Sequence, residues 1–149
     1  MKEWIKDKSS YIGSADDKLL QFNRLVRYLK RWRDERFSND VAKKIFSIGI
    51  TIMAKQSFCP TFDNDGAPHD LHALKSTVSQ MLAGVYFSNL GNDEYRVSTQ
   101  LPVAPWRDVF TGSSTNTGTQ FRSKLKRLES KLQEAIDETD ETKQCEILR

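Results

Sequence analysis

The side chains able to do chemistry in this 149-residue chain are mostly cations, concentrated in "LVRYLKRWRDERF", residues 25–37. Arg24, Arg27 and Arg31 recur at i, i+3 and i+7, the spacing that places side chains on one face of a helix, with Lys30 on its flank. Leu25, Leu29 and Trp32 fall roughly opposite and are expected to bury. Such a row suits phosphate, because guanidinium offers a planar fork of donors with a permanent charge. A second group that could serve the same chemistry is the hydroxyl of Ser47, alone inside "KKIFSIGITIM". Gly49 beside it implies a close approach, by another helix or by a ligand. The same residues also have a plainer reading. Arg31 and Arg33 can pair with Asp34 and Glu35 on a solvated face, and Ser47 can be a buried serine bonded back to the carbonyl of Lys43.

Other chemistries find little support in the spacings. Cys59 and Cys145 form no CxxC or Cys/His pattern, and His69 and His72 have no cysteine nearby, so neither a zinc site nor a disulfide framework is expected. Asp63 and Asp65 in "DND" sit among Pro60, Gly66 and Pro68 and read as a loop turn. Asp16 and Asp17 read as the acidic first turn of a helix. A net charge of +3 makes no strong case for nucleic acid. There is no apolar run of membrane-spanning length and no signal-peptide core in "MKEWIKDKSS", so a cytoplasmic setting is expected.

The elements that must position these groups are mainly helical. After a lead containing Trp4 and Ile5, Ser14 can cap a helix running to about Phe37. "SND", residues 38–40, breaks it, and Val41 to Phe58 reads as a central helix, apolar nearly all round from Ile45. A Pro/Gly loop follows. From Asp70 a third helix carries Leu71, Leu74, Val78, Met81 and Val85 on one stripe. "EYRVSTQLP" alternates Tyr95, Val97, Thr99 and Leu101, a short extended strand within residues 94–101. An irregular crossing anchored by Trp106 and Phe110 leads to a long helix with Phe121, Leu125, Leu128, Leu132 and Ile136 on one face. Thr139 can cap a final short helix. The expected architecture is one mainly α helical-bundle domain over residues 1–149 with a short β segment.

Taken together, "FNRLVRYLKRWRDERF", a break, and "KKIFSIGITIMAKQSF" resemble the helical C-terminal lobe of the CD-NTases, bacterial relatives of cyclic GMP-AMP synthase and oligoadenylate synthase. The far end, "VSTQLPVAPWRDVFTG" followed by "FRSKLKRLESKLQEAID" and "ETDETKQCEILR", is similar to the way those enzymes close. The resemblance spans nearly the whole chain. It implies the substrate-binding lobe of a nucleotidyltransferase that joins NTPs, ATP or GTP, into oligonucleotide second messengers for antiphage defence. By the family's pattern Arg27 reaches the triphosphate, Ser47 contacts the donor phosphates, and Lys30 and Arg31 serve the same pocket. Arginine stands at position 27 where the family often has lysine, which keeps the charge and alters the reach.

The family's GS motif and strand-borne DxD pair, which hold magnesium, have no counterpart here. The expectation is therefore a lobe that is inactive alone, with no catalytic or metal residue of its own. Its partner is an N-terminal catalytic lobe, and Mg2+ enters only there. Membrane and nucleic acid are not expected partners. The alternative is a helical scaffold that binds no nucleotide.

Overall fold

The computed structural model describes residues 15–37, 47–110, 114–138 and 140–148. The architecture is mainly helical, as the periodicities predict, with one two-stranded antiparallel sheet among the described residues. Helix α1, Ala15–Arg36, opens with Asp16 and Asp17 and closes with Arg33 and Arg36, charges of the right sign for each end of the helix dipole. It buries Leu25, Val26, Leu29 and Trp32, the face expected, and also Gln21. Helix α2, Ser47–Ser57, buries Ile50, Ile52, Met53 and Ala54, although Ile48 stays exposed. The expected start of this helix at Val41, the "SND" break, the Ser14 cap and the Trp4–Ile5 lead lie outside the described residues.

Helix α3, Asp70–Ala83, is capped by the imidazole of His69, which accepts from the backbone N–H of His72. It ends at Ala83 with Gly84 as its C-cap, short of the expected Val85, which falls in the turn and is 91% exposed. The apolar stripe ends at Met81, and Tyr86 and Phe87 are the residues that turn inward. Strand β1, Phe87–Gly91, then pairs with β2, Glu94–Val97, in the register Phe87↔Val97 and Asn89↔Tyr95. The extended segment was legible in its alternation, but its partner strand was not. β1 has almost no buried side chains, and the hairpin is made by left-handed Gly91, Asn92 and Asp93, types that tolerate positive φ.

Helix α4, Thr115–Asp137, is the axis of the core, with Phe121, Leu125, Leu132 and Ala135 fully buried. The Phe121 ring meets Trp32, Phe37, Phe87 and Phe110 at centroid distances of 5.5–6.4 Å, joining α1, the hairpin and the crossing segment. Gly118 lets α4 press on β2. A Cβ there would lie 2.3 Å from the Tyr95 carbonyl oxygen and 2.7 Å from the Val97 nitrogen.

Of the two expected anchors in the crossing segment, Phe110 is buried and Trp106 is 56% exposed, with φ of 58°. The loop is closed by its own backbone bonds, Leu101 N to Arg107 O and Val109 N to Thr99 O, which leave the indole outside. Helix α5, Glu141–Ile147, is capped by Asp140; Thr139, the cap expected, lies outside the described residues. The Asp140 carboxylate accepts from Thr142 N at 2.9 Å. Among the described residues no helix is long and apolar enough to cross a membrane.

Candidate functional site

The cations of α1 meet three different fates. Arg24 donates through Nε and Nη2 to the carboxylate of Asp70 at 2.6 and 3.0 Å, a bidentate pair at the start of α3. Arg24 draws the Asp70 carboxyl below the ordinary range, against an opposing effect of burial. Buried Gln21 completes this corner, donating to Thr61 O at 2.8 Å and accepting from Thr61 N at 3.0 Å. Arg24 is thereby used structurally.

Arg27 is exposed and forms no ion pair among the described residues. Ser47 is exposed too, so the buried-serine reading fails. Its Oγ accepts from Arg33 Nη1 at 2.9 Å, and Arg33 also holds Asp34 at 2.8 Å. Arg33 stands six residues beyond Arg27. On a helix of 3.6 residues per turn that is about 120° away around the axis. The described contacts therefore join Ser47 to Arg33 and leave Arg27 on the solvent face. Lys30, half-buried, flanks Arg27 without an ion pair of its own among the described residues. Gly49 admits the approach expected of it, but from side chains: a Cβ would come within 2.7 Å of the Phe110 ring.

The convergence of charge lies elsewhere. Arg31 and Arg36 of α1 face Lys124, Arg127 and Lys131 of α4 across a cleft of about 580 Å3. Its floor is Trp32, Leu128 and Leu148, and its remaining polar groups are Tyr28 and Glu35. The α4 cations recur at i, i+3 and i+7. That places them about 60–120° from Phe121 on the helix, along the border of the apolar stripe. Contact of the Phe121 ring with Trp32 and Phe37 therefore brings this border of α4, and its cations, to the mouth of the groove. Burial raises the Tyr28 phenol pKa, with Arg36 opposing and Glu35 adding, so it remains a proton donor at neutral pH.

Five cations against one carboxylate leave the cleft strongly positive. Lys124 is partly engaged: its ammonium donates to the Arg36 carbonyl at the end of α1 and lies 4.8 Å from the Phe37 ring centroid. Arg31 pairs with Glu35 at 3.1 Å, but the two side chains are 82% and 58% exposed. Such a pair is worth about 0.3–0.5 kcal/mol, so an incoming anion can take Arg31 at small cost. Arg36, Arg127 and Lys131 form no ion pair among the described residues. A low-dielectric floor under excess charge focuses the field and concentrates anions.

Of the predicted phosphate ligands, Arg31 lines this cleft, while Arg27, Lys30 and Ser47 do not. Sequence reasoning missed Arg36, Lys124, Arg127 and Lys131. The i, i+3, i+7 rule that singled out α1 would have found the α4 row as well. The Asp63–Asp65 loop is the turn expected, with Asp65 accepting from Ala67 N and Gly66 at φ of 88°. Among the described residues no group of three or more His, Cys, Asp or Glu could hold a metal ion. The sequence matches no protein-family model, and no curated protein matches it significantly.

Proposed function

We propose that the chain is the substrate-gripping helical lobe of a nucleotidyltransferase that makes oligonucleotide second messengers, and that it holds the NTP polyphosphate in the α1–α4 cleft. The observation that carries the phosphate part is the excess of cations there: Arg31, Arg36, Lys124, Arg127 and Lys131 against Glu35 alone. The nucleotidyltransferase part is carried by the sequence resemblance. In this reading the cleft binds and orients, with Arg127 and Arg36 as forks on nonbridging oxygens and the Tyr28 phenol as a neutral donor. Catalytic carboxylates and magnesium belong to a separate lobe.

Calorimetric titration of ATP and GTP tests it. Each charge-assisted hydrogen bond is worth about 1.5–3 kcal/mol, so Arg127→Ala is expected to weaken binding about tenfold or more. Arg27→Ala and Ser47→Ala should change it by less than about threefold. The opposite order, loss with Arg27→Ala and Ser47→Ala but none with Arg127→Ala, would return the clamp to the α1–α2 junction.

A second reading, a scaffold that binds no nucleotide, draws on Trp106. An indole held outside on a strained, internally bonded loop is the type of residue that anchors protein interfaces. It predicts no ATP heat in the parent chain and loss of partner capture in Trp106→Ala.

A further inference from the structure

We infer that the α1–α4 cleft selects its ligand by phosphate charge and ignores the base, so that the ligand class is a compact chain of linked phosphates. The inference rests on the phosphate-gripping reading and adds what the site does not read. Adenine and the pyrimidines are told apart by mixed donors and acceptors aimed at an edge, typically Asn, Gln, Ser or Thr, and guanine by a fork of Arg or Lys. The lining contains no Asn, Gln, Ser or Thr, and its cations can read guanine only by leaving the phosphates. Its one aromatic fused ring, Trp32, is 7% exposed and already packed edge-on to Phe37 at 5.4 Å and tilted against Phe121 at 6.4 Å. It has no free face on which a base could stack. What remains is charge and one phenol.

The size and ends of the groove separate a small polyphosphate from a nucleic-acid strand. Its volume of about 580 Å3 lies in the range of about 300–1,000 Å3 usual for small-molecule sites. The α4 row from Lys124 to Lys131 extends about 10 Å at 1.5 Å per residue, the reach of a few linked phosphates. Beyond Lys131 the chain turns acidic, with Glu134, Asp137, Glu138, Asp140 and Glu141 in succession. A continuing polyanion would meet repulsion there, whereas a short one ends before it. The nucleotide's triphosphate and inorganic tripolyphosphate share the chemistry that fits.

Competition titration on the full chain separates the cases, with inorganic tripolyphosphate, ATP, GTP, CTP, AMP and single-stranded oligothymidylate as probes. The expected result is that tripolyphosphate displaces ATP and that the three NTPs bind within about threefold of one another. AMP should bind at least about tenfold more weakly, and Arg127→Ala/Lys131→Ala should weaken every triphosphate by the same factor. Arg127→Lys, which keeps the charge, should recover part of the loss, and thermal melting of each variant checks folding.

A preference of more than about tenfold for one NTP, with Arg127 dependence intact, would overturn base-blindness and leave phosphate gripping standing. Tighter binding of oligothymidylate than of tripolyphosphate would give the cleft to nucleic acid. Binding of ATP and tripolyphosphate that the double variant leaves untouched, or no binding by the parent, would overturn both readings.

Discussion

The two halves of α1 carry the same kind of side chain and put it to opposite uses. Near its start, Arg24 meets the Asp70 carboxylate and Gln21 meets Thr61, so polar groups tie α1 to the loop and helix across from it. Near its end, Arg31 and Arg36 meet Lys124, Arg127 and Lys131, so like charges gather with little to neutralise them. The role of a cation is thus decided by what the opposing element offers. A carboxylate opposite makes it a strut, and a second cation leaves it in an unneutralised basic row. Self-repulsion within such a row opposes the compact state.

The contrast can be broken at each half. The largest effect on stability is expected from Gln21→Ala, which strands the Thr61 N–H and C=O in a half-buried corner. The loss should be about 3 kcal/mol by urea denaturation, with ATP binding per folded molecule unchanged. The cleft should behave in reverse. Arg127→Ala/Lys131→Ala should weaken ATP binding about a hundredfold while leaving the urea midpoint unchanged or slightly raised, since it relieves repulsion.

The strut has a pH signature of its own. Asp70 is held below its ordinary pKa by Arg24, so its contribution is fully present above the unfolded value near about 4 and is lost as pH falls through the folded one. Both side chains are nearly half exposed, at 43% and 47%, which limits the contribution to about 1 kcal/mol. Arg24→Ala should remove the part of the acid sensitivity below about pH 4 that a matched urea series resolves in the parent. Smallest of all, Arg27→Ala should shift stability by less than about 0.5 kcal/mol, as for any exposed surface residue. A larger shift would mean that Arg27 has a partner across the fold after all.

Local pattern accounts for much of what was legible. The buried face of α1, the stripe from Leu71 to Met81 and the stripe from Phe121 to Leu132 all follow from a period of 3.6, and the alternation from Tyr95 to Leu101 follows from a period of 2. Two expectations failed where the pattern pointed one way and the backbone another, and one strand was not foreseen. Val85 keeps the helical spacing, yet Gly84 ends α3 one residue before it. Trp106 has the composition of an anchor, but its loop closes on itself and leaves the ring outside. β1 carries almost no apolar pattern, because only the pairing with β2 makes it a strand.

The sequence by itself determined that the chain is mainly helical, which helix faces are apolar and which cations share a face. Those depend on neighbours within one or two turns. It could not determine which cations face each other, since Arg31 and Lys131 stand 100 residues apart. Coulomb energy depends on separation in space and on the charges nearby, not on position along the chain. Only the tertiary fold, which sets Phe121 of α4 against Trp32 and Phe37, placed two unremarkable basic rows across one apolar floor, and only the position of Asp70 took Arg24 out of that company.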